Sequence, residues 1–416
     1  MGSFSDTARA GRQRPRGSRP EDPARAGSAP PAGSDLVAEL ARQVLHSLPR
    51  SDQRRSGELY IRGLLAAQGR KTIRNVASST GRTADAQRLH HFISESTWDW
   101  VPVRRALADR LGRDVQPSAW VVQAVTVPRT GGVPVGAGSG AALRSGAGVN
   151  EQRSVGLWAV TPLGGFPVDW RLLLPQRRPD DPRLRARAGI PEDARPLDAV
   201  AAGLDMLPGI TRHGARGHAP VLLDVRRACA ARTAAALGVR GLPHLLRVSA
   251  SELLVPVGVP PRRTGAAVTA GQLAAYAAAA TRFASTGPTG APHEVSRFVC
   301  RVPGAGAARQ SVLLVDRDPR RPRRAAFWLT DLTDHPVDAL VRLTRAPGLV
   351  AGEAAGTGRR VGLYDFAGRS FAGWHRHTTL ASVAHTAALL LPTRTPGASR
   401  TGPARTEDAS RTGIAC

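Results

Sequence analysis

The spacing of hydrophobic positions changes along the chain. Over residues 35–113 apolar side chains recur every three or four positions, as at Leu36, Leu40 and Val44, which is typical of amphipathic helices. After Pro117 the pattern turns to short runs of β-branched and aromatic residues bounded by Gly and Pro, which predict strands. Strands and helical segments then alternate, so we expect an α/β fold with a sheet flanked by helices.

Composition divides the chain into six segments. Residues 1–34 and 392–416 are rich in Arg, Pro, Gly and Ser, and we expect both tails to be disordered and the first to be basic. The other four segments are a helical N-terminal domain over 35–113, a first part of the core over 117–250, a small β-rich insertion over 251–325, and a last part of the core over 326–391. The Gly-rich stretch 346–360 is predicted to be irregular.

The chain is strongly basic. Its 416 residues include 58 Lys and Arg against 32 Asp and Glu, which gives a formal net charge of +26. Such a charge favours binding to polyanions, nucleic acid before an anionic membrane. Lys71 is the single Lys, and an Arg bias of this kind is also produced by GC-rich coding, so the charge alone assigns no function. No apolar run approaches the roughly 18 residues of a membrane-spanning helix.

The cysteines and histidines do not follow the spacing of a metal site. Cys229, Cys300 and Cys416 fit neither a zinc signature nor a disulfide framework, so the expected location is a reducing cytoplasm, with association to the nucleoid left open. Five histidines also lack the spacing of a zinc site, and we interpret them as structural or surface residues: His90, His91, His375, His377 and His385.

Several ordered strings carry a family resemblance. GELYIRGLLAAQGRKTIRNVA is similar to the string YLRGLL…RKS, and QRLHHFISESTWDW is similar to LQHFVSxSPWD. FPVDWRLLLP, DDPRLRARAGIPED, FWLTDL and GRSFAGWHRH follow in the expected order. From residue 51 to residue 391 the chain therefore resembles bacterial insertion-sequence transposases of the DDE superfamily. The resemblance implies an RNase H-like mixed sheet flanked by helices, after an all-helical N-terminal domain and with a small β-rich insertion.

The resemblance also implies a reaction centre in which three carboxylates hold two Mg²⁺ ions for phosphoryl transfer. The first carboxylate of the family stands at the end of the first strand, where this chain has Gln123 and Ala124. The second position is occupied by Asp224, which is followed by Arg226 and Arg227. Amide and methyl groups are poor substitutes for a carboxylate ligand, so the resemblance leaves Asp224 as a vestigial residue.

The third carboxylate of the family is a Glu on a helix. The register from Leu340 to Gly368 runs without a gap and puts Ala351 in that position. With two of three ligands missing, no cofactor is expected, and Mg²⁺ belongs to intact relatives. The favoured hypothesis is a catalytically inactive transposase-like protein that binds DNA and has a regulatory role.

Two other hypotheses stay open. One is an active metal-dependent DDE transposase or endonuclease that uses displaced carboxylates, for which the candidates are Glu353, Asp365, Asp316 and Asp169. The other is a scaffold reused for protein contacts or for unrelated chemistry. Each of these acids also has an ordinary interpretation as a solvated side chain or an Arg partner.

Basic side chains supply the candidate contacts to DNA. The candidates are Arg70, Lys71, Arg74 and Arg82 in the helical domain and Arg129 at the end of the first strand. Arg and Lys contacts to phosphate give affinity without sequence information. Acidic residues such as Glu58 and Asp85 share the helical domain, so a DNA-facing role and an ordinary solvated surface remain equal alternatives. No membrane partner is expected, and a homodimer is a further hypothesis.

Overall fold

The structure, a computed structural model, describes eleven stretches of the chain. They are residues 32–81, 83–129, 137–139, 150–175, 182–211, 219–258, 266–276, 281–286, 292–304, 310–320 and 325–391. Both tails that were predicted to be disordered lie outside these stretches, except residues 32–34, which belong to the first helix.

The N-terminal part is helical, as its apolar spacing predicts. Its elements are α1 (Ala32–Val44), α2 (Ser51–Ala66), α3 (Ile73–Ser79), a 3₁₀ turn (Thr83–Asp85), α4 (Ala86–Ser94) and α5 (Val101–Asp114). Thr72 begins α3 because its side chain accepts a hydrogen bond from the backbone N–H of Asn75. Gly63 of α2 lies against Val76 of α3, where a Cβ would come within 2.7 Å of the Val76 carbonyl oxygen. These helices therefore pack tightly on one another.

The described strands form one twelve-stranded mixed sheet. They are β1 (Ala119–Arg129), β2 (Ala137–Ser139), β3 (Asn150–Thr161), β4 (Gly164–Leu172), β5 (Val221–Asp224), β6 (His244–Val248), β7 (Leu253–Pro256), β8 (Val268–Thr269), β9 (Thr281–Thr286), β10 (Pro292–Arg301), β11 (Ser311–Arg317) and β12 (Ala325–Thr330). Their order is β2-β3-β1-β5-β6-β12-β11-β10-β7-β8, with β4 beside β3 and β9 beside β10.

The centre of the sheet has the arrangement that the resemblance implies. Strands β1, β3 and β4 form an antiparallel meander, and β5 and β6 follow on the other side of β1, parallel to it. The predicted RNase H-like mixed sheet is therefore confirmed. Residues 251–325, which were interpreted as an insertion, supply β7–β11 and lengthen this sheet, because β12 pairs antiparallel to β6 and β11 pairs with β12.

Helices cover both faces of the sheet. They are α6 (Pro182–Ala188), α7 (Ala199–Met206), α8 (Pro208–Thr211), α9 (Ala230–Val239), α10 (Ala270–Ala275), α11 (Val337–Thr344), α12 (Ala346–Glu353) and α13 (Phe371–Leu390). None of the helices in the described stretches is long and apolar enough to cross a membrane. Nearly every residue from Gly373 to Ala387 of α13 is buried, since the N-terminal helices lie on one side of α13 and the sheet on the other.

The prediction that residues 346–360 are irregular was wrong. They form α12, which continues through a π-helical turn over Ala354–Gly358. Gly348 and Gly352 are exposed and cost the helix some stability, but the apolar positions Ala346 and Val350 are buried against neighbouring elements. Tertiary packing of an apolar face outweighs helix propensity in this segment.

Candidate functional site

Four residues form a row across the middle of the sheet, at the level where β5 ends. We call this set the central row: Gln123 of β1, Asp224 of β5, Arg247 of β6 and Trp328 of β12. Asp224 pairs with Arg247, and Arg247 pairs with Trp328. The parallel pairing of β1 with β5 joins Val121 to Leu222, and Gln123 and Asp224 each follow two residues later.

The side chains of the central row lie on the face of the sheet opposite α7. A Cβ added to Gly203 of α7 would lie 2.7 Å from the Val122 side chain and 3.5 Å from the Leu223 side chain. Successive side chains of a strand point to opposite faces. Gln123 and Asp224, one residue further along, therefore point away from α7. The structure thus brings together the first two positions at which the resemblance expects carboxylates.

Asp224 is bound by an arginine. The side chain of Arg226 donates hydrogen bonds of 2.9 Å and 3.0 Å from Nε to the two carboxylate oxygens, and its backbone N–H donates a third of 3.1 Å. Burial by itself would raise the pKa of Asp224, but the hydrogen bonds from Arg226 and the charges of Arg226 and Arg247 outweigh burial and lower this pKa. The carboxylate is therefore ionised and already has a cationic partner.

Arg247 stands beside Asp224 and lies over the ring of Trp328, with 5.9 Å between its guanidinium carbon and the ring centroid. Burial lowers the pKa of Arg247 most, and the charge of Arg226 lowers it further. The charge of Asp224 raises this pKa by a smaller amount. The row therefore contains one carboxylate among guanidinium groups where the family's reaction needs a cluster of carboxylates.

The third position does not reach the central row. Ala351 is exposed on α12, and its neighbour Val350 lies against Gly165 of β4, where an added Cβ would be 3.3 Å from Val350 Cγ2. Through β3, Gly165 is aligned with Ala119 at the beginning of β1. Ala119 precedes Gln123 by four residues, which is about 13 Å along an extended strand. The residue in the third position therefore faces solvent on α12 and supplies no carboxylate to the central row.

Two of the candidate displaced carboxylates lie near the N-terminal helices and the α12–α13 region. Glu353 lies beside Gly164 and His385, with 3.9 Å between its Oε2 and Nε2 of His385. Asp365 accepts a 2.8 Å hydrogen bond from the backbone N–H of Lys71. The surroundings of both carboxylates are therefore formed by residues outside the central row.

The other two displaced carboxylates also have partners of their own. Asp316 of β11 lies 2.7 Å from Nδ1 of His293. Its strand is three places from β5 in the sheet, so it is about 14 Å from β5. Asp169 pairs with Leu157, which pairs with Val122, so its side chain lies on the α7 face of the sheet. Neither position brings a second carboxylate to Asp224.

The residues of the central row do not fit a pair of divalent metal ions. Such a centre needs several carboxylate oxygens to balance the cationic charge. The row offers one carboxylate and one neutral amide, and Arg226 and Arg247 add positive charge next to them. Across the stretches that the structure describes, no group of three or more His, Cys, Asp or Glu side chains is placed to hold a metal ion.

The basic residues proposed from the sequence have different environments. Arg70 and Arg74 are exposed, and neither guanidinium has a hydrogen bond or ion pair with the described part of the chain. Lys71 is 5% exposed and its Nζ donates to the carbonyl of Ala67, so its ammonium group does not face solvent as a DNA contact requires. Burial lowers the pKa of Lys71, while Asp365 opposes this shift. Arg82 and the side chain of Arg129 lie outside what the structure describes.

A buried arginine that the sequence analysis missed joins three parts of the molecule. Arg104 of α5 is 3% exposed, and burial lowers its pKa to about 10, so the guanidinium stays charged at neutral pH. Its donors meet acceptors on β4 and α13, namely Asp169 Oδ1 at 2.9 Å, the Trp170 carbonyl at 2.7 Å, Thr379 Oγ1 at 2.7 Å, the His375 carbonyl at 3.0 Å and Thr378 Oγ1 at 3.2 Å. Little in the sequence indicates that Arg104 is buried, because Arg104 follows Val103 in a segment with the ordinary pattern of an amphipathic helix.

Three comparisons relate this chain to known proteins. A family model described as "DDE superfamily endonuclease" matches residues 43–284, more than half of the chain. The chain therefore belongs to this family. A search of solved structures finds similarity to the piggyBac transposase synaptic complex with hairpin DNA, at 9% identity and a TM-score of 0.38, over 85% of this chain and 72% of that one. The comparison with curated proteins found no match.

Proposed function

We propose that this member of the DDE superfamily binds DNA without cleaving it. The observation that carries the proposal is the central row, where Asp224 is bound by Arg226 and its neighbour on β1 is the amide Gln123. A two-metal centre needs free carboxylates at these two places. Without them the central row lacks the groups that would position two cations around a scissile phosphate.

Binding to DNA is supported by charge and by family membership. The net charge of +26 attracts a polyanion over the whole surface. Arg70 and Arg74 near the beginning of α3 present guanidinium groups to solvent. Arginine suits phosphate because its planar fork donates two parallel hydrogen bonds. A protein that occupies DNA without cutting it excludes active enzymes from the same site, and this gives the proposed regulatory role.

The alternative function is cleavage by displaced carboxylates. The experiment that separates the two incubates the purified protein with supercoiled plasmid and Mg²⁺ or Mn²⁺, and measures binding to a labelled duplex in parallel. We expect no nicking, and we expect the logarithm of the binding constant to fall linearly with the logarithm of salt concentration. Nicking that disappears in Asp224→Ala would overturn the proposal, as would the absence of salt-dependent DNA binding.

A further inference from the structure

We propose that Arg247 is the anchor of an anion site that takes one phosphate group of a DNA strand, and that Asp224 competes with this phosphate by holding Arg226. The inference rests on the proposed DNA binding. It adds the place at which a strand lies on the sheet and the residue that limits its affinity there. It also gives Asp224 a role opposite to that of a metal ligand.

The first observation is that the guanidinium of Arg247 is positioned but has unused donors. It is half-buried and lies over Trp328, with a distance of 5.9 Å to the ring centroid. Within the described stretches it donates no hydrogen bond to the protein. A guanidinium on an aromatic ring has already lost much of its rotational freedom, so an anion that binds it needs to immobilise little more.

The second observation is the charge around Arg247. Arg226 lies close enough to Arg247 for its charge to lower the pKa of Arg247, and Asp224, which binds Arg226, pairs with Arg247 across the two strands. Burial and the charge of Arg226 both disfavour the cationic form of Arg247. An added anion would relieve this repulsion, so the site is short of negative charge. A phosphodiester supplies one negative charge and oxygens that match the guanidinium fork.

The third observation is that the Asp224–Arg226 pair can open. The two side chains are 45% and 50% exposed, and ion pairs this exposed contribute little to stability. A phosphate that binds at Arg247 can therefore take over Arg226 from Asp224. In this arrangement the carboxylate weakens DNA binding, because it repels the phosphate and occupies the second arginine.

The test uses substitutions whose effects have opposite signs. Binding of a fluorescent random-sequence DNA duplex is measured by anisotropy in EDTA, over a range of salt concentrations. Asp224→Asn is expected to raise the affinity roughly five- to tenfold and to steepen the salt slope by about 0.9, because Arg226 gains a phosphate contact. Arg247→Gln is expected to lower the affinity by a similar factor and the slope by about 0.9.

The chain contains a matched control pair. Asp338 and Arg342 form an exposed ion pair on α11, with a distance of 2.7 Å, and substituting them changes the net charge by the same amounts. Asp338→Asn and Arg342→Gln are expected to change the affinity less than twofold. If Asp224→Asn weakens binding, or if the two pairs of variants behave alike, the inference is wrong while the proposed DNA binding stands.

A separate experiment covers the case in which the protein does not bind DNA. If the wild-type protein binds no duplex, the proposed function fails, and titration calorimetry with inorganic pyrophosphate in EDTA then decides whether an anion site exists. Pyrophosphate binding that is lost in Arg247→Gln and retained in Arg342→Gln would uphold the site. No pyrophosphate binding, or binding unaffected by Arg247→Gln, would overturn it.

Discussion

Tyr60 and Tyr364 are tyrosines with buried hydroxyl groups, and only the first has a hydrogen-bond partner among the described residues. The Tyr60 hydroxyl lies 2.9 Å from His377 Nδ1, and His377 Nε2 lies 2.8 Å from the carbonyl of Gly362. Since Nε2 must donate to that carbonyl, Nδ1 of neutral His377 accepts, and the tyrosine donates. The hydroxyl of Tyr364 has no partner in the described stretches.

Removing these two hydroxyl groups should therefore have different effects. We expect Tyr60→Phe to lower the free energy of unfolding by about 1–2 kcal/mol, because it removes the hydrogen bond that the hydroxyl donates to buried His377 Nδ1. Tyr364→Phe is the control and should not lower it, since the variant removes a buried hydroxyl group that has no hydrogen bond to lose. Urea unfolding of the two variants measures the difference. Equal losses would show that the Tyr60–His377 bond contributes nothing specific.

His385 of α13 makes stability depend on pH. Its Nε2 donates to the carbonyl of Gly165 at 3.0 Å, and burial lowers its pKa to about 4. A histidine in the unfolded chain has a pKa near 6.5. Between the two pKa values, His385 therefore binds a proton in the unfolded chain but not in the folded chain. Stability due to the neutral ring is complete above about pH 6.5 and is lost as the pH falls towards 4.

We expect this loss to amount to about 2–3 kcal/mol between pH 7 and pH 4.5 for His385. Urea unfolding at the two pH values measures it, and His385→Gln should reduce the pH-dependent difference by that amount, whatever its effect at pH 7. His91→Gln is the control, since His91 is exposed on α4 and its substitution should leave the difference unchanged. An unaltered pH dependence in His385→Gln would refute the assignment.

At the scale of elements, α12 shows how packing can outweigh composition. Gly352 is exposed with nothing within 4 Å of an added Cβ, so its only effect is on the flexibility of the unfolded chain and of the helix. Gly362, just beyond the π-helical turn, has a φ of +71° and faces Lys71, where an added Cβ would come within 2.2 Å of Cγ. The two glycines therefore have opposite roles.

Gly352→Ala is expected to raise the free energy of unfolding by about 0.5–1 kcal/mol, because alanine favours the helix. Gly362→Ala should lower it by more than this amount, since it combines a strained backbone with a clash against Lys71. Thermal or urea unfolding of both variants provides the measurement. If Gly352→Ala destabilises the protein, the segment is not a regular helix.

The sequence predicted many elements but not all of their environments. A run of β-branched residues predicted β1, and short apolar runs predicted β5 and β6. The spacing of the family strings put Gln123 and Asp224 at positions that the sheet does bring together. Arg226, which binds Asp224, is one of the two arginines that follow Asp224 in the sequence. Burial of Lys71 was missed, because a lone Lys in an Arg-rich segment looks like a surface cation until the contact with Asp365, 294 residues away, is known.

At the scale of the whole molecule, the N-terminal helices and α13 share one hydrophobic core. Polar contacts between them include the Tyr60–His377 hydrogen bond and the bonds of Arg104 and Arg376, the latter through a 3.1 Å bond to the carbonyl of Trp98. The boundary at residue 113 stays a prediction. The contacts on both sides of it could not be foreseen, because a sequence shows which faces are apolar but not which distant face covers them.

Replacing Arg104 should weaken this shared core. We expect Arg104→Lys to lower the free energy of unfolding by about 3 kcal/mol, because an ammonium group cannot reach acceptors on both β4 and α13, and Asp169 loses its buried partner. Arg105→Lys, at the exposed neighbouring position, is the control and should change it by less than about 0.5 kcal/mol. If urea unfolding gives the same change in the free energy of unfolding for both variants, the guanidinium group of Arg104 contributes nothing that an ammonium group cannot.

The hydrogen bond from Tyr60 to His377 spans 317 residues, and it has a consequence for synthesis on the ribosome. The surfaces of α2 and α5 that α13 covers are made first and stay uncovered until α13 emerges. A nascent chain that stalls before residue 371 leaves those apolar surfaces exposed to aggregation and to chaperones. The core that the N-terminal helices share with α13 therefore forms only after residues 371–390 have been made.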